Sequence, residues 1–281
     1  MNDADRHAYF AADWLSLREP VDHAARAESL TAAAADWLAG QADATYRIID
    51  LGAGRGSNLR YLAPRLPARQ HWCLLDHDRG LLDSTRAEAD RCTDANGAPV
   101  TIETRTLDLA SADLEAALDG AKLVSAAALF DLVTQDWIER LARACARRGA
   151  AVLFVLSIDG HIDLAPAHAD DAVVFDLLAA HQQRDKQFGA ALGKRAPAVL
   201  RQAFEARGYT VTRRSSPWQI DRARAELGAA LIEGWRSAAC EQAPQAAARI
   251  DDWAKARIRA LRRGELAMTV GHEDMFATPG S

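Results

Sequence analysis

Short apolar runs ending in an acid, separated by stretches of helical spacing, recur along this chain and predict its architecture. The first is Tyr46-Arg47-Ile48-Ile49-Asp50-Leu51, bounded by the alternating glycines Gly52, Gly54 and Gly56. An Ile/Leu run stopped by glycine predicts a buried strand, and the glycines let the backbone turn sharply before a helix over 57–66. His71–Asp76 is the second such run, Val100–Leu109 a third that alternates and ends in Asp108-Leu109, and Ala121–Asp131 a fourth. Ala150–Ser157 is continuously apolar and predicts a fifth strand, leaving Asp159-Gly160-His161 at its C-terminal edge. Helical patterns fall between these runs: 79–92, a short helix that Ser111 caps, and a longer one that Thr134 opens and Gly149 stops. Strands alternating with helices predict an α/β fold with a doubly wound, mostly parallel sheet.

The flanks differ. Residues 1–45 carry Tyr9, Phe10, Trp14 and Leu15 at near-helical spacing, a break at Arg18-Glu19-Pro20 and an alanine-rich amphipathic helix from Val21 to Leu38, so a helical cap precedes the first strand. Beyond residue 160 the pattern gives an irregular segment from Asp163 to His168, a helix over 170–183, a turn at Asp185–Gly189 and a helix over 196–207. A sixth strand over Tyr209–Thr212 is closed by Pro217-Trp218, and Leu266–Ala277 reads as the last strand. Some forty residues of helical pattern, Asp221 to Gly264, separate these two strands. The domain expected is 46–281, carrying helical insertions at about 161–207 and 221–264.

The glycine spacing narrows the ligand. A dinucleotide fold calls for Gly-x-Gly-x-x-Gly, and here the third glycine comes one residue early. Asp50 stands before the loop, where a carboxylate repels a pyrophosphate but suits the ammonium of an amino-acid-like ligand. Asp-x-Gly-x-Gly-x-Gly resembles motif I of the class I S-adenosylmethionine-dependent methyltransferases. The resemblance covers roughly residues 46–160 by motif and the remainder by order of elements. It implies a methyltransferase-type sheet of seven strands and S-adenosyl-L-methionine as cofactor. By position it places Asp50, Gly52, Ala53, Gly54, Gly56 and Asn58 around the cofactor, Asp76 with His77 at the ribose, Asp108 and Leu109 at the adenine, and Ala126 at the end of the fourth strand. A cap of this kind lies across the cofactor in many members, where Tyr9, Trp14 or Arg18 would line the site and Arg18 would meet the methionyl carboxylate; the plainer reading of Arg18 is a surface charge at a helix end. The sixth and seventh strands usually form a near-hairpin in that family, so the 221–264 insertion departs from the pattern and implies a lid or an interface, the latter allowing a homodimer.

Composition excludes several classes. A net charge of −5 gives no footprint for nucleic acid. No Asp-Pro-Pro-Tyr or Asn-Pro-Pro-Tyr follows the fourth strand, which argues against the amino-methylating DNA and RNA enzymes of the superfamily. Cys73, Cys92, Cys145 and Cys240 lie far apart, which suggests neither a zinc site nor a disulfide framework. The polar N-terminus has no signal pattern and no apolar run approaches a membrane span, so a cytoplasmic protein without a membrane partner is expected.

Methyl transfer from a sulfonium is an in-line displacement that needs chiefly proximity and alignment. Should the nucleophile lose a proton, Asp131 is the first candidate base and His161 the second; each could instead be a capping acid or a solvated loop residue. Phe130, Asp159 and Trp218 are the candidate substrate contacts, Phe130 and Trp218 for stacking, though buried packing is the commoner fate of such rings. No metal is expected: a pair of loop carboxylates at Asp159 could hold Mg²⁺, but the adjacent Asp-Asn pair is missing. His181 and His272 read as ordinary helix or strand residues. The reading reached is transfer of a methyl group to a small-molecule O or N acceptor. The alternatives are a protein or peptide side chain as acceptor, a non-catalytic S-adenosylmethionine-binding partner subunit, and a nicotinamide dehydrogenase.

Overall fold

The computed structural model describes residues 3–42, 45–67, 69–88, 91–182 and 191–280. At its centre β1 (Tyr46–Leu51) lies between two parallel neighbours, β2 (Gln70–Asp76) and β4 (Leu123–Ala127). Outside them sit β3 (Thr101–Thr106) and β5 (Ala151–Ala165), also parallel. The antiparallel β8 (Ala267–Pro279) then carries β6 (Tyr209–Ser215) at the edge. The order is β3-β2-β1-β4-β5-β8-β6, the methyltransferase-type sheet expected, with strand order reversing between β1 and β4. That switch point is where open α/β sheets bind ligands, outside the C-terminal strand ends.

Side-chain alternation along these strands divides the core in two. Ile48, Trp72, Leu74, Leu123 and Leu153 join one buried cluster, while Ile49, Cys73, Leu75, Val124 and Val152 join the other. The first face is covered by α2 (Glu28–Ala39), α3 (Ser57–Leu62) and a helical hairpin, α9 (Ala225–Gln242) with α10 (Ala247–Arg263). The second is covered by α6 (Gln135–Arg148) and α8 (Ala196–Glu205). Each fully buried Leu or Ile in these layers contributes about 1.5–3 kcal/mol. Capping fits the polar pattern: Thr134 accepts from Trp137 N at 3.2 Å to start α6, and Gly149 ends it at φ 61°. Asp113, and not Ser111, caps the short helix α5 (Leu114–Ala117), and the longer α4 (Arg79–Glu88) lies between β2 and β3.

Three further elements differ from the sequence reading. α1 (Asp3–Ala25) runs straight through Pro20. Ion pairs on both sides of the proline hold it, Arg18 with Asp22 at 2.8 Å and Arg60 with Glu19 at 2.6 Å. The break comes instead at Ala27, whose backbone N–H donates to Asp274 at 2.9 Å. β5 does not stop at Ser157 but continues to Ala165, because β8 goes on pairing with it through two bulges. Asp163–Ala165 is therefore paired strand and not irregular chain. An eighth strand, β7 (Trp218–Ile220), pairs with Met268–Val270 where the sequence suggested only an end to the sixth. α7 (Asp171–Gln182) packs on α9 and is tied to α10 by Asp171, which accepts from Arg257 and from Trp253 Nε1. The turn at Asp185–Gly189 and the side chains of Tyr9 and Phe10 lie outside the described residues. Among the described residues no helix is long and apolar enough to cross a membrane.

Candidate functional site

The loop after β1 is shaped by its glycines. Gly52, Gly54 and Gly56 all have positive φ, 64°, 52° and 73°, which an L side chain rarely adopts. At Gly56 a Cβ would also meet Thr85 Cγ2 at 2.5 Å. The loop is stitched to the end of β2: Ala53 N donates to Leu75 O at 3.0 Å and Gly54 N to Asp76 Oδ2 at 2.8 Å. Asp76 Oδ1 accepts Asp78 N at 2.9 Å. Each Asp76 oxygen thus has one backbone donor, and Oδ1 also lies 3.2 Å from His77 Nδ1, so the second lone pair of Oδ2 is the one retained.

Above this loop α1 closes a cleft. Leu15, Arg18, Glu19, Asp22, His23 and Arg26 line it from the helix; Gly52, Ala53, Gly54, Asn58, Asp76 and His77 line it from the sheet edge. Ala128 and Leu156 complete it, both non-glycine residues held at positive φ, 51° and 57°. Such strain persists only where surroundings enforce it, and it gathers at functional sites. For Leu156 the enforcing contact is Asp274 Oδ1, which accepts its N–H at 2.8 Å.

Beneath the cleft runs a buried polar chain. Arg26 Nη1 donates to Asn58 Oδ1 at 2.9 Å, and Asn58 Nδ2 donates to Asp50 Oδ1 at 2.6 Å, where Ser125 Oγ also donates at 2.7 Å. Burial pushes the Asp50 carboxyl up to about 6, against the opposing pull of those two hydrogen bonds.

A second cavity of about 410 Å³ adjoins the cleft and shares Arg18 and Ala128 with it. Its wall is largely apolar and aromatic: Trp14, Phe175, Trp218 and Trp235 with Ile158, Ile162 and Leu231. Trp14 and Trp218 have ring centroids 6.4 Å apart, and the Arg18 guanidinium stands 5.1 Å over Trp218. Asp131, in the 3-10 turn after β4, and His161, in the β5 bulge, lie in the same wall. His272 stacks on Trp218 at 4.8 Å, with Nδ1 3.0 Å from Val270 O. A carbonyl only accepts, so Nδ1 carries a proton; burial holds the ring's pKa down to about 4, which favours the neutral form.

The structure therefore gathers Asp131, His161, Trp218 and Arg18 in one cavity, and Gly52, Ala53, Gly54, Asn58, Asp76 and His77 in the cleft beside it. Other expected positions lie outside both walls or are engaged elsewhere. Asp50 does not line the cleft and reaches it only through Asn58. Asp108 is exposed and turned onto its own turn, accepting from Ser111 Oγ at 2.8 Å and Ala110 N at 3.0 Å, contacts that lower its pKa. Leu109 and Ala126 are core residues, and Ala127 and Ala128 line the cleft in place of Ala126. Arg18 already has an internal partner in Asp22. Phe130 is fully buried 4.5 Å from Phe154, and Asp159 closes the bulge by accepting His161 N at 2.8 Å. Arg26, Trp235 and Phe175 were not expected from sequence as site residues, and His272 was set aside. They carry no motif and meet only because α1, α7, α9 and β8 converge over the same strand ends. Among the described residues no group of three or more His, Cys, Asp or Glu is placed to hold a metal ion.

No protein-family model and no curated protein matches the sequence. Among solved structures, the chain is similar to the Mycobacterium tuberculosis cyclopropane synthase MmaA2, at 12% identity over 83% of this chain and 78% of that one, TM-score 0.46. It is also similar to geranyl diphosphate C-methyltransferase from Streptomyces coelicolor, at 14% over 90% and 81%, TM-score 0.46. A third is Haemonchus contortus phosphoethanolamine N-methyltransferase 2, at 12% over 89% of this chain and 52% of that one, TM-score 0.43. On its own strand order, and on the three positive-φ glycines that follow β1, the chain has the class I S-adenosylmethionine-dependent methyltransferase fold.

Proposed function

We propose that this protein is an S-adenosylmethionine-dependent methyltransferase whose acceptor is a small, largely apolar molecule. The observation that carries the reading is the junction of two compartments: the cleft over the glycine loop and the aromatic cavity meet at Ala128 and Arg18. Two molecules held one in each would face each other across that junction, the arrangement that in-line transfer needs.

The residues present fit the cofactor. The loop turns on three glycines that let the backbone come close to a ligand, Asp76 Oδ2 has a lone pair left for a ribose hydroxyl, and Arg26 brings a buried cation with unmade hydrogen bonds. When bound, S-adenosylmethionine supplies an electrophilic methyl group on a sulfonium. The chain's own residues do the rest. Trp14, Trp218 and Trp235 give the acceptor an apolar seat that excludes water. Asp131 and His161 are the groups in that wall suited to orient an acceptor hydroxyl or amine or to take its proton. His272, neutral and short of a proton on Nε2, offers a further acceptor.

Incubation with methyl-labelled S-adenosylmethionine and a cell extract, with products separated by size, tests the reading. Label in the small-molecule fraction is expected. Label confined to macromolecules would replace the small acceptor with a protein or nucleic acid, and the absence of any label, with no thermal protection by S-adenosylhomocysteine, would end the methyltransferase reading.

A further inference from the structure

Four arginines line or border the cofactor cleft, and three of them are already engaged. Arg18 is paired with Asp22, Arg60 forks onto Glu19 at 2.7 and 2.6 Å, and Arg55 donates to Ser16 at 2.5 Å. Arg26 is different. It is 5% exposed, donates one hydrogen bond, to Asn58, and stands over the face of Tyr61 at 4.4 Å. Its Nε and Nη2 are buried without any hydrogen-bond partner. A guanidinium is always charged and presents its donors as a fork that matches a carboxylate. Burying that fork half-made is costly, and burial pulls its pKa below the ordinary value, opposed by the more distant Asp274 and Asp50. The missing partner is an anion, and Arg26 lines the cleft that would bring one.

We propose that Arg26 binds the carboxylate of an amino-acid-bearing ligand in this cleft, and so selects an adenosyl cofactor that carries its amino-acid tail over one that lacks it. The inference rests on the S-adenosylmethionine reading above, and it assigns to Arg26 the role that the sequence suggested for Arg18. The register of α1 decides between them. Arg18 lies two turns earlier on the helix, beside Asp22, while Arg26 stands at its end, next to Asn58 of the glycine loop.

The test compares two ligands that share the nucleoside and thioether and differ in the tail, S-adenosylhomocysteine and 5′-methylthioadenosine, by titration calorimetry on wild type, Arg26→Gln and Arg26→Lys. Arg26→Gln is expected to weaken S-adenosylhomocysteine by about tenfold or more, the size of a lost charge-assisted hydrogen bond, and to leave 5′-methylthioadenosine unchanged. Arg26→Lys should fall between, since lysine keeps the charge and loses the fork. Equal weakening of both ligands, or of neither, overturns the proposal. If Arg26→Gln does not fold, the wild type alone decides: the methyl ester of S-adenosylhomocysteine should bind about tenfold more weakly than the free acid, and equal binding overturns the proposal. A wild type that binds none of the three removes the S-adenosyl reading itself, an outcome distinct from binding that ignores the tail.

Discussion

Asp274 holds Leu156 by its backbone N–H at 2.8 Å and fixes that residue in the left-handed conformation, φ 57°. The same carboxylate accepts from Ser216 Oγ at 2.6 Å and from Ala27 N at 2.9 Å. One buried side chain on β8 thus sets the β5 bulge, the approach to β7 and the corner between α1 and α2. Asp274→Ala would leave two backbone donors without their acceptor, and a loss of about 2–6 kcal/mol is expected at about 1–3 kcal/mol each. Urea unfolding measures it, and an unchanged midpoint would show that water replaces the carboxylate.

Gly56→Ala should destabilise through two separable effects. The left-handed backbone costs a side chain about 1–2 kcal/mol, and the new Cβ collides with Thr85 Cγ2. Thr85→Ser removes that methyl and keeps the hydroxyl that donates to Gly54 O at 3.3 Å. In the double variant the steric part should return and the backbone part should not, giving a melting temperature between those of wild type and Gly56→Ala.

Two buried groups give opposite pH dependences in one window. Asp50 titrates at about 6 in the fold against an ordinary 3.8, so the folded state holds its proton more tightly and stability falls as pH rises from about 4 to 6. His272 titrates at about 4 against 6.5, so stability is lost as pH falls from about 6.5 to 4. Each effect is on the order of 3 kcal/mol, and in wild type they largely offset. Asp50→Asn should therefore gain stability on going from pH 4.5 to 6 more steeply than wild type, and His272→Gln should lose it. Parallel curves for all three proteins would contradict both assignments.

Asp171 accepts from Arg257, a guanidinium only 4% exposed that otherwise reaches Pro166 O at 2.8 Å. Breaking a buried pair from one side costs about 3–5 kcal/mol, while replacing both partners costs far less. Asp171→Ala is accordingly expected to lower stability more than Asp171→Ala combined with Arg257→Met, as read by chemical unfolding.

Within the cavity, Trp218→Ala should raise KM for the acceptor several-fold, the effect of about 1–2 kcal/mol of lost aromatic contact, and leave cofactor affinity unaltered. Asp131→Asn should lower kcat with KM little changed if the carboxylate acts on the proton of the acceptor. Steady-state kinetics separate the two, and an unchanged KM in the first variant together with an unchanged kcat in the second would take the reaction out of this cavity.

The central strands were legible because a parallel strand covered on both faces concentrates Ile, Leu and Val and must stop at a polar loop; β1, β2, β4 and the first half of β5 all do so. The second half of β5 was not, since Asp159, Gly160 and His161 look like an exit loop and become strand only because β8 is long enough to keep pairing beyond the bulge. The glycine loop and Asp76 were legible through spacing. Asp50 and Asp108 show the limit of that reasoning: both follow apolar runs, yet one is sealed behind Asn58 and the other is turned onto Ser111. Arg26 and His272 sit in unremarkable local sequence, and their meaning comes from which unmade hydrogen bonds and which rings they are folded against.

α1 serves both compartments, roofing one with Arg26 and His23 and walling the other with Trp14, while Arg18 belongs to each. A rigid helix cannot swing away from one and stay seated on the other. Traffic of the two ligands is therefore mechanically linked: a displacement of α1 that lets a spent nucleoside leave also strips the neighbouring cavity of its indole, and a reseated helix commits both occupants at once.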